Sequence, residues 1–167
     1  MTQHSGRIIY RNDEYGELPQ ISALMEAVFR EFIAPGYSPQ GTEEFLEYIH
    51  PAAIAYRTKR NHFLRVAEVN KKIVGALEVR NYNHLSLLFV DSQFQRQGIA
   101  RTLVSQAIII CQMDNPDLKE ITVHSAPEAV VVYKAMNFRC IGEEQIINGI
   151  RFIPMRYDLI QASETET

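Results

Sequence analysis

The residues whose order could do chemistry are Gln95-Arg96-Gln97-Gly98-Ile99-Ala100. They follow a nearly continuous apolar run, Leu85 to Val90, which reads as a strand buried on both faces. They open a stretch, Ile99 to Met113, with Leu103, Val104, Ala107, Ile108 and Cys111 at helical spacing. The order is therefore buried strand, short loop, glycine, helix. The first amides of a helix have no partner within it, and the helix dipole makes that end positive. A diphosphate can be held there. Gly98 lets a ligand approach the backbone, Ala100 keeps the next point small, and Arg96 can add charge-assisted bonds. The same residues also suit a plain strand-to-helix connection that needs glycine only for its turn. No Gly-Lys-Ser/Thr follows Gly98, so this is not a Walker A loop. Nor is there the Gly-x-Gly-x-x-Gly of a dinucleotide site.

Other elements must position that turn. Ile8-Ile9-Tyr10 reads as a short first strand. Leu18 to Ile33 places Ile21, Leu24, Met25, Val28, Phe29 and Phe32 on one helical face. The breakers between Pro35 and Gly41 end it, and Thr42-Glu43-Glu44 opens a second helix carrying Phe45, Leu46 and Ile49 inward. Its course past Pro51 is open. His62 to Val69 and Ile73 to Val79 read as strands joined by a hairpin turn at Asn70-Lys71-Lys72. Asn115-Pro116 ends the long helix. Glu120 to His124 is a further buried strand, and Ser125-Ala126-Pro127-Glu128 has the form of a capping box before a helix to Met136. Asn137 tolerates the left-handed conformation that ends helices. Phe138 to Ile147 and Ile150 to Leu159 read as strands joined at Asn148-Gly149. The order β-α-α-β-β-β-α-β-α-β-β describes a mixed α/β (α+β) domain. It spans residues 1–167, with 1–6 and 162–167 expected to be disordered.

Composition narrows the function classes. The chain has 167 residues, 46% apolar and 22% charged, with a net charge of −3. It is long enough to bury a core without staples. There is no basic surplus for phosphate-backbone binding, which disfavours a nucleic-acid partner. No apolar run approaches the roughly 20 residues of a membrane span, and the N-terminus lacks the order of a signal peptide. A cytoplasmic location is expected. Cys111 and Cys140, the two cysteines, read as buried small hydrophobes. Without Cys-X-X-Cys, no metal site is suggested.

Gln95-Arg96-Gln97-Gly98-Ile99-Ala100 resembles the Gln/Arg-x-x-Gly-x-Gly/Ala signature of the GNAT family of N-acetyltransferases. Ala129-Val130-Val131-Val132-Tyr133-Lys134-Ala135-Met136-Asn137-Phe138 resembles its second signature, usually Ala-x-x-x-Tyr-x-x-x-Gly-Phe. The resemblance covers nearly all of residues 7–159. Asn83 to Val90, His124 to Pro127 and Asn148 to Met155 look like a bacterial subgroup of that family. Two departures occur: Ala100 for the commoner glycine, and Asn137 for the glycine before Phe138.

The resemblance implies a central sheet of about seven strands, parted between the fourth and fifth, with acetyl-CoA as co-substrate and no metal. Pantetheine would pair with the backbone of Leu88, Phe89 and Val90, and an N–H at Leu88 or Phe89 would act as an oxyanion hole. The amides of Gln95, Arg96, Gln97, Gly98, Ile99, Ala100 and Arg101 would hold the diphosphate. Ser125 would touch pantetheine or substrate, or serve only as the helix cap. Tyr133 is the implied general acid, protonated at neutral pH because an unperturbed tyrosine has a pKa of about 10. The acceptor would be a primary amine of a small molecule or peptide. Holding such an amine neutral at pH 7 costs about 4.6 kcal/mol, so a base or water chain is needed. Glu78, His84 and Ser86 are the candidates, with Tyr37 as a wall of the acceptor pocket. A non-catalytic acyl-CoA sensor or interaction module on the same fold is the alternative. The edge of the last hairpin could support a homodimer.

Overall fold

The structure, a computed structural model, describes residues 6–159; apart from Gly6, the termini expected to be disordered lie outside the described residues. The strands are β1 (Ile9–Asn12), β2 (His62–Val69), β3 (Lys72–Arg80), β4 (His84–Val90), β5 (Glu120–Ser125), β6 (Arg139–Cys140), β7 (Gln145–Ile147) and β8 (Ile150–Asp158). The helices are α1 (Leu18–Phe32), α2 (Pro39–Tyr48), α3 (Pro51–Thr58), α4 (Ile99–Asp114) and α5 (Val130–Ala135). The strands form one eight-stranded sheet in the order β1-β2-β3-β4-β5-β8-β6, with β7 also on β8. Every pairing is antiparallel except β4–β5.

Both faces of the sheet are covered. On one, Leu103, Val104, Ala107 and Cys111 of α4 pack on Leu77, Val79, Leu85, Ile121 and Val123. On the other, Ile21, Met25 and Phe29 of α1 pack on Leu64, Val66, Ala76, Leu87 and Phe89. Strand β4 is buried on both sides, as its apolar run predicts.

Four local expectations need correction. The second helix starts earlier, at Pro39, because Ser38 caps it: the Gly41 N–H donates to Ser38 Oγ at 3.0 Å, and proline suits the first turn. Past Tyr48 the chain restarts as α3, with Pro51 again in the first turn and the His50 ring accepting from the Ala52 N–H.

The Ser125 capping box does not form. Ser125 is still paired in β5, opposite Ile153, and its hydroxyl donates to the Ala126 carbonyl at 2.8 Å. The chain passes through a 3-10 turn at Pro127–Ala129 before α5 begins.

Phe138 to Ile147 is not one strand but two. Opposite the break stands Pro154, whose carbonyl accepts from the Ile141 N–H at 2.9 Å but which has no N–H to return. One missing ladder bond frees the chain at Gly142 and adds the eighth strand. Cys111 is buried, but Cys140 is exposed.

The Asn148-Gly149 turn has both residues at positive φ, 52° and 79°. Its tip rests on α2 so closely that a Cβ on Gly41 would run into the Gly149 carbonyl. The last hairpin is thereby clamped to the segment between α1 and α2.

Candidate active site

Strands β4 and β5 pair only at His84 with Thr122 and Leu85 with Val123. Just beyond, the β3–β4 register shifts: Val79 faces Leu85, Glu78 faces Leu87, and Ser86 is the extra residue. Its hydroxyl donates to the Glu78 carbonyl at 3.2 Å. A bulge bends its strand and increases the twist. Strand β5 meanwhile stays with β8 as far as Ser125. The main chain of Leu88, Phe89 and Val90 therefore has β3 on one side and an open gap on the other.

The gap leads to the turn before α4. Asp91 makes the last tie to β3, its N–H donating to the Val74 carbonyl at 2.8 Å. Gln95 Nε2 folds back to the Val90 carbonyl at 3.1 Å, and buried Phe94 anchors the loop. Arg96 and Gly98 both take positive φ, 63° and 81°. For arginine this conformation is costly, and for glycine it is free. Gly98 stands at the N-cap with no side-chain cap, so the amides of Ile99, Ala100 and Arg101 have no hydrogen-bond partner among the described residues. A Cβ built on Gly98 meets nothing within 4 Å. Arg96 and Gln97 are exposed beside it. The Arg101 guanidinium points elsewhere, donating to the Ala135 carbonyl at 3.2 Å and tying α4 to the end of α5.

Tyr133 is buried on the α4 face, edge-on to Phe138 with ring centroids 5.4 Å apart. Its hydroxyl makes no hydrogen bond among the described residues. Burial raises its pKa well above the ordinary tyrosine value, so it holds its proton. Ser125 is also buried, its hydroxyl spent on Ala126.

On the opposite face the three base candidates fare differently. Glu78 is fully buried, held by Arg57 through Nε at 2.7 Å and Nη2 at 2.9 Å, with His62 Nδ1 at 3.1 Å from the same carboxylate. Arg57 also lies 3.7 Å over the Tyr48 ring and donates to the Tyr48 carbonyl, so this network fixes α2 and α3 to the sheet. His84 shares a 2.7 Å hydrogen bond with Thr122 through Nδ1. Its ring meets His124 edge-on at 4.7 Å, and His124 stacks on Phe152 at 4.3 Å. Burial first, then Arg80 and His124, lower the His84 pKa to about 3. Burial and Arg80 lower that of His124. Both rings are neutral at pH 7.

Tyr37 lies between α1 and α2, its ring edge-on to Phe29 with centroids 5.3 Å apart. Burial and the nearby Glu128 raise its pKa to about 12, while Arg151 pulls the other way. Arg151 donates to the Gly36 carbonyl at 3.3 Å and pairs with Glu144 at 2.7 Å. Sequence reasoning missed His124, Thr122, Glu128, Arg151 and Arg57. Only Arg57 left a trace: a carboxylate inside the buried run Ile73 to Val79 requires a cation somewhere.

The acetyltransferase (GNAT) domain profile matches residues 33–159. The chain belongs to the GNAT acetyltransferase family. Solved structures share its fold. A GCN5-related N-acetyltransferase from Rhodopseudomonas palustris superposes with a TM-score of 0.78 at 17% identity, covering 90% of this chain and 95% of that one. The PaiA N-acetyltransferase of Thermoplasma acidophilum, solved with coenzyme A, gives 0.73 at 15% identity over 92% and 99%. A spermidine N-acetyltransferase from Vibrio cholerae, with CoA and spermine, gives 0.59 at 23% over 90% and 95%. No curated protein matches the chain in sequence. Among the described residues no helix is long and apolar enough to cross a membrane, and no cluster of acidic, His or Cys side chains could hold a metal ion.

Proposed function

We propose that this protein moves an acetyl group from acetyl-CoA to a primary amine by direct attack, without an acyl-enzyme. One observation carries the reading: the β4–β5 gap runs into an uncapped helix N-terminus whose glycine faces open space. The residues present suit the group. The amides from Gln95 to Arg101 and the Arg96 side chain would hold the diphosphate, and the free edge of Leu88 to Val90 would pair with pantetheine as an added strand.

Acetyl-CoA supplies an acetyl group activated as a thioester. The main-chain N–H of Leu88, which strand alternation turns away from β3 and toward the gap, would stabilise negative charge on the carbonyl oxygen; that of Phe89 faces β3. The amine nitrogen bonds to the carbonyl carbon, the carbon–sulfur bond breaks, the sulfur takes the proton held on Tyr133 Oη, and the Tyr133 phenolate regains a proton from solvent as CoA leaves. The amine loses its proton to solvent through the His84–His124 pair. An imidazole with a pKa near 3 cannot strip an ammonium of pKa about 10. It accepts a hydrogen bond from an amine that enters neutral, and takes the proton only as the new bond makes the nitrogen acidic. The uncharged walls favour that neutral form. Glu78 keeps α2 and α3 in place.

The test is twofold. Acetyl-CoA at about 100 times its dissociation constant should stabilise the fold by about 2.7 kcal/mol, a melting rise of roughly 5–10 °C. Free thiol should then appear when primary amines are added. No melting shift and no calorimetric heat with either CoA or acetyl-CoA would overturn the proposal.

A further inference from the structure

The surface along α2 says what the amine is attached to, given that the acceptor is an amine as proposed above. A groove of about 840 Å³ runs along α2 and the start of α3, bordered by Tyr37, Glu43, Leu46, Glu47, His50 and Ala53. Its floor is apolar and no lysine or arginine lines it. Glu43 and Glu47 are exposed and stand one helical turn apart on the same face. Like charges at that spacing cost a helix a few tenths of a kcal/mol. Neither carboxylate is taken up in an ion pair among the described residues. The fold itself therefore gives no reason for the pair, whereas a cation lying between them would relieve it.

Tyr37 belongs to the groove lining and also lies within the fields of Glu128, just past β5, and Arg151 of β8. Arg151 is neutralised by Glu144, but Glu128 is exposed and has no ion pair among the described residues. Negative charge thus extends from Glu128 past Tyr37 and along α2 over an apolar floor. The His50 Nδ1 accepts from the Ala52 N–H, which leaves the other ring nitrogen as a donor toward the groove.

We propose that this groove seats a basic peptide segment whose terminal or side-chain amine is the acetyl acceptor. Its cationic side chains would lie against Glu43 and Glu47 and its apolar ones against Leu46 and Ala53. A bare oligoamine satisfies the charges but leaves the apolar floor uncovered.

Fluorescence anisotropy tests this with a hexapeptide of alternating lysine and leucine, free at its amino terminus and labelled at the other end. Measured without CoA, it should bind the full chain with an affinity that falls as salt rises. Glu43→Gln with Glu47→Gln should weaken it about five- to tenfold, Glu43→Lys at least as much, and the melting temperature should hold. A peptide with glutamate for lysine should not bind. Absence of peptide binding, binding indifferent to these substitutions, or full competition by spermidine at equal charge overturns the proposal. Because the titration omits CoA, such a failure stands apart from a failure of the cradle to bind CoA, which calorimetry reads separately.

Discussion

On one side of the β4–β5 gap the polar groups are main-chain amides, and on the other they are side chains. The cradle is made by the turn of the chain at Arg96 and Gly98 and the uncapped start of α4. The acceptor face is assembled from a distance: His84 meets Thr122 across 38 residues, Glu78 meets Arg57 across 21, and Arg151 meets Gly36 across 115. A site of amides depends on φ and ψ at a few consecutive positions, so substitutions there act through conformation. A site of side chains depends on which residues the topology brings together, so substitutions there act through chemistry.

The largest effect expected from breaking this contrast is at Tyr133, one side chain serving the amide-built half. Tyr133→Phe removes the proposed proton donor but keeps the ring against Phe138, so kcat should fall about 10²- to 10⁴-fold while CoA affinity holds. Because burial raises its pKa, Tyr133 stays protonated past pH 10, and the wild-type rate should show no alkaline limb below that from this group. Steady-state kinetics across pH checks both. An unchanged kcat removes Tyr133 from the mechanism.

Next is the acceptor face under acid. The unfolded chain takes up a proton on His84 near pH 6.5, but the folded protein only near 3. Between these values the unfolded state holds more protons, so stability falls as pH falls through that window. His84 contributes on the order of 5 kcal/mol of that loss at most, and His124 adds in the same direction. His84→Asn, which can still bond Thr122, should flatten the decline in melting temperature from pH 6.5 to 3. Equal slopes for both proteins would show His84 to be solvated.

The cradle responds more modestly. Gly98→Ala puts a Cβ at φ 81°, which costs about 1–2 kcal/mol. That amounts to roughly 2–8 °C in melting temperature. The same Cβ projects into the space left for the ligand, so the CoA dissociation constant should rise about tenfold. Calorimetry on the folded variant separates the two losses.

The same contrast explains what could be read in advance. The cradle lies in six consecutive residues, so its strand, glycine and helix were legible directly, as were the Asn148-Gly149 turn and the burial of β4. The apolar periodicities placed most helices and strands within a residue or two. The double strand β6–β7 was not legible, because the break comes from Pro154 on the neighbouring strand. Nor was the fate of Ser125, since pairing with Ile153 outcompeted its local capping pattern. The partners of His84 and Glu78 were hidden for the same reason: nothing near them in sequence names Thr122 or Arg57.

The smallest expected effect sharpens the comparison where the two halves meet. Glu128 is exposed, follows closely on β5, and acts on Tyr37 through its charge. It touches neither the diphosphate turn nor the thioester edge. An exposed carboxylate contributes about 0.2–1 kcal/mol to an ion pair, so Glu128→Gln should raise KM for cationic acceptors only about two- to fivefold. The effect should vanish for uncharged amines and shrink with salt, while kcat and CoA affinity stay unchanged. A change in kcat instead would mean that Glu128 acts on the reacting nitrogen, and the side-chain half of the site would then extend to the β5–α5 turn.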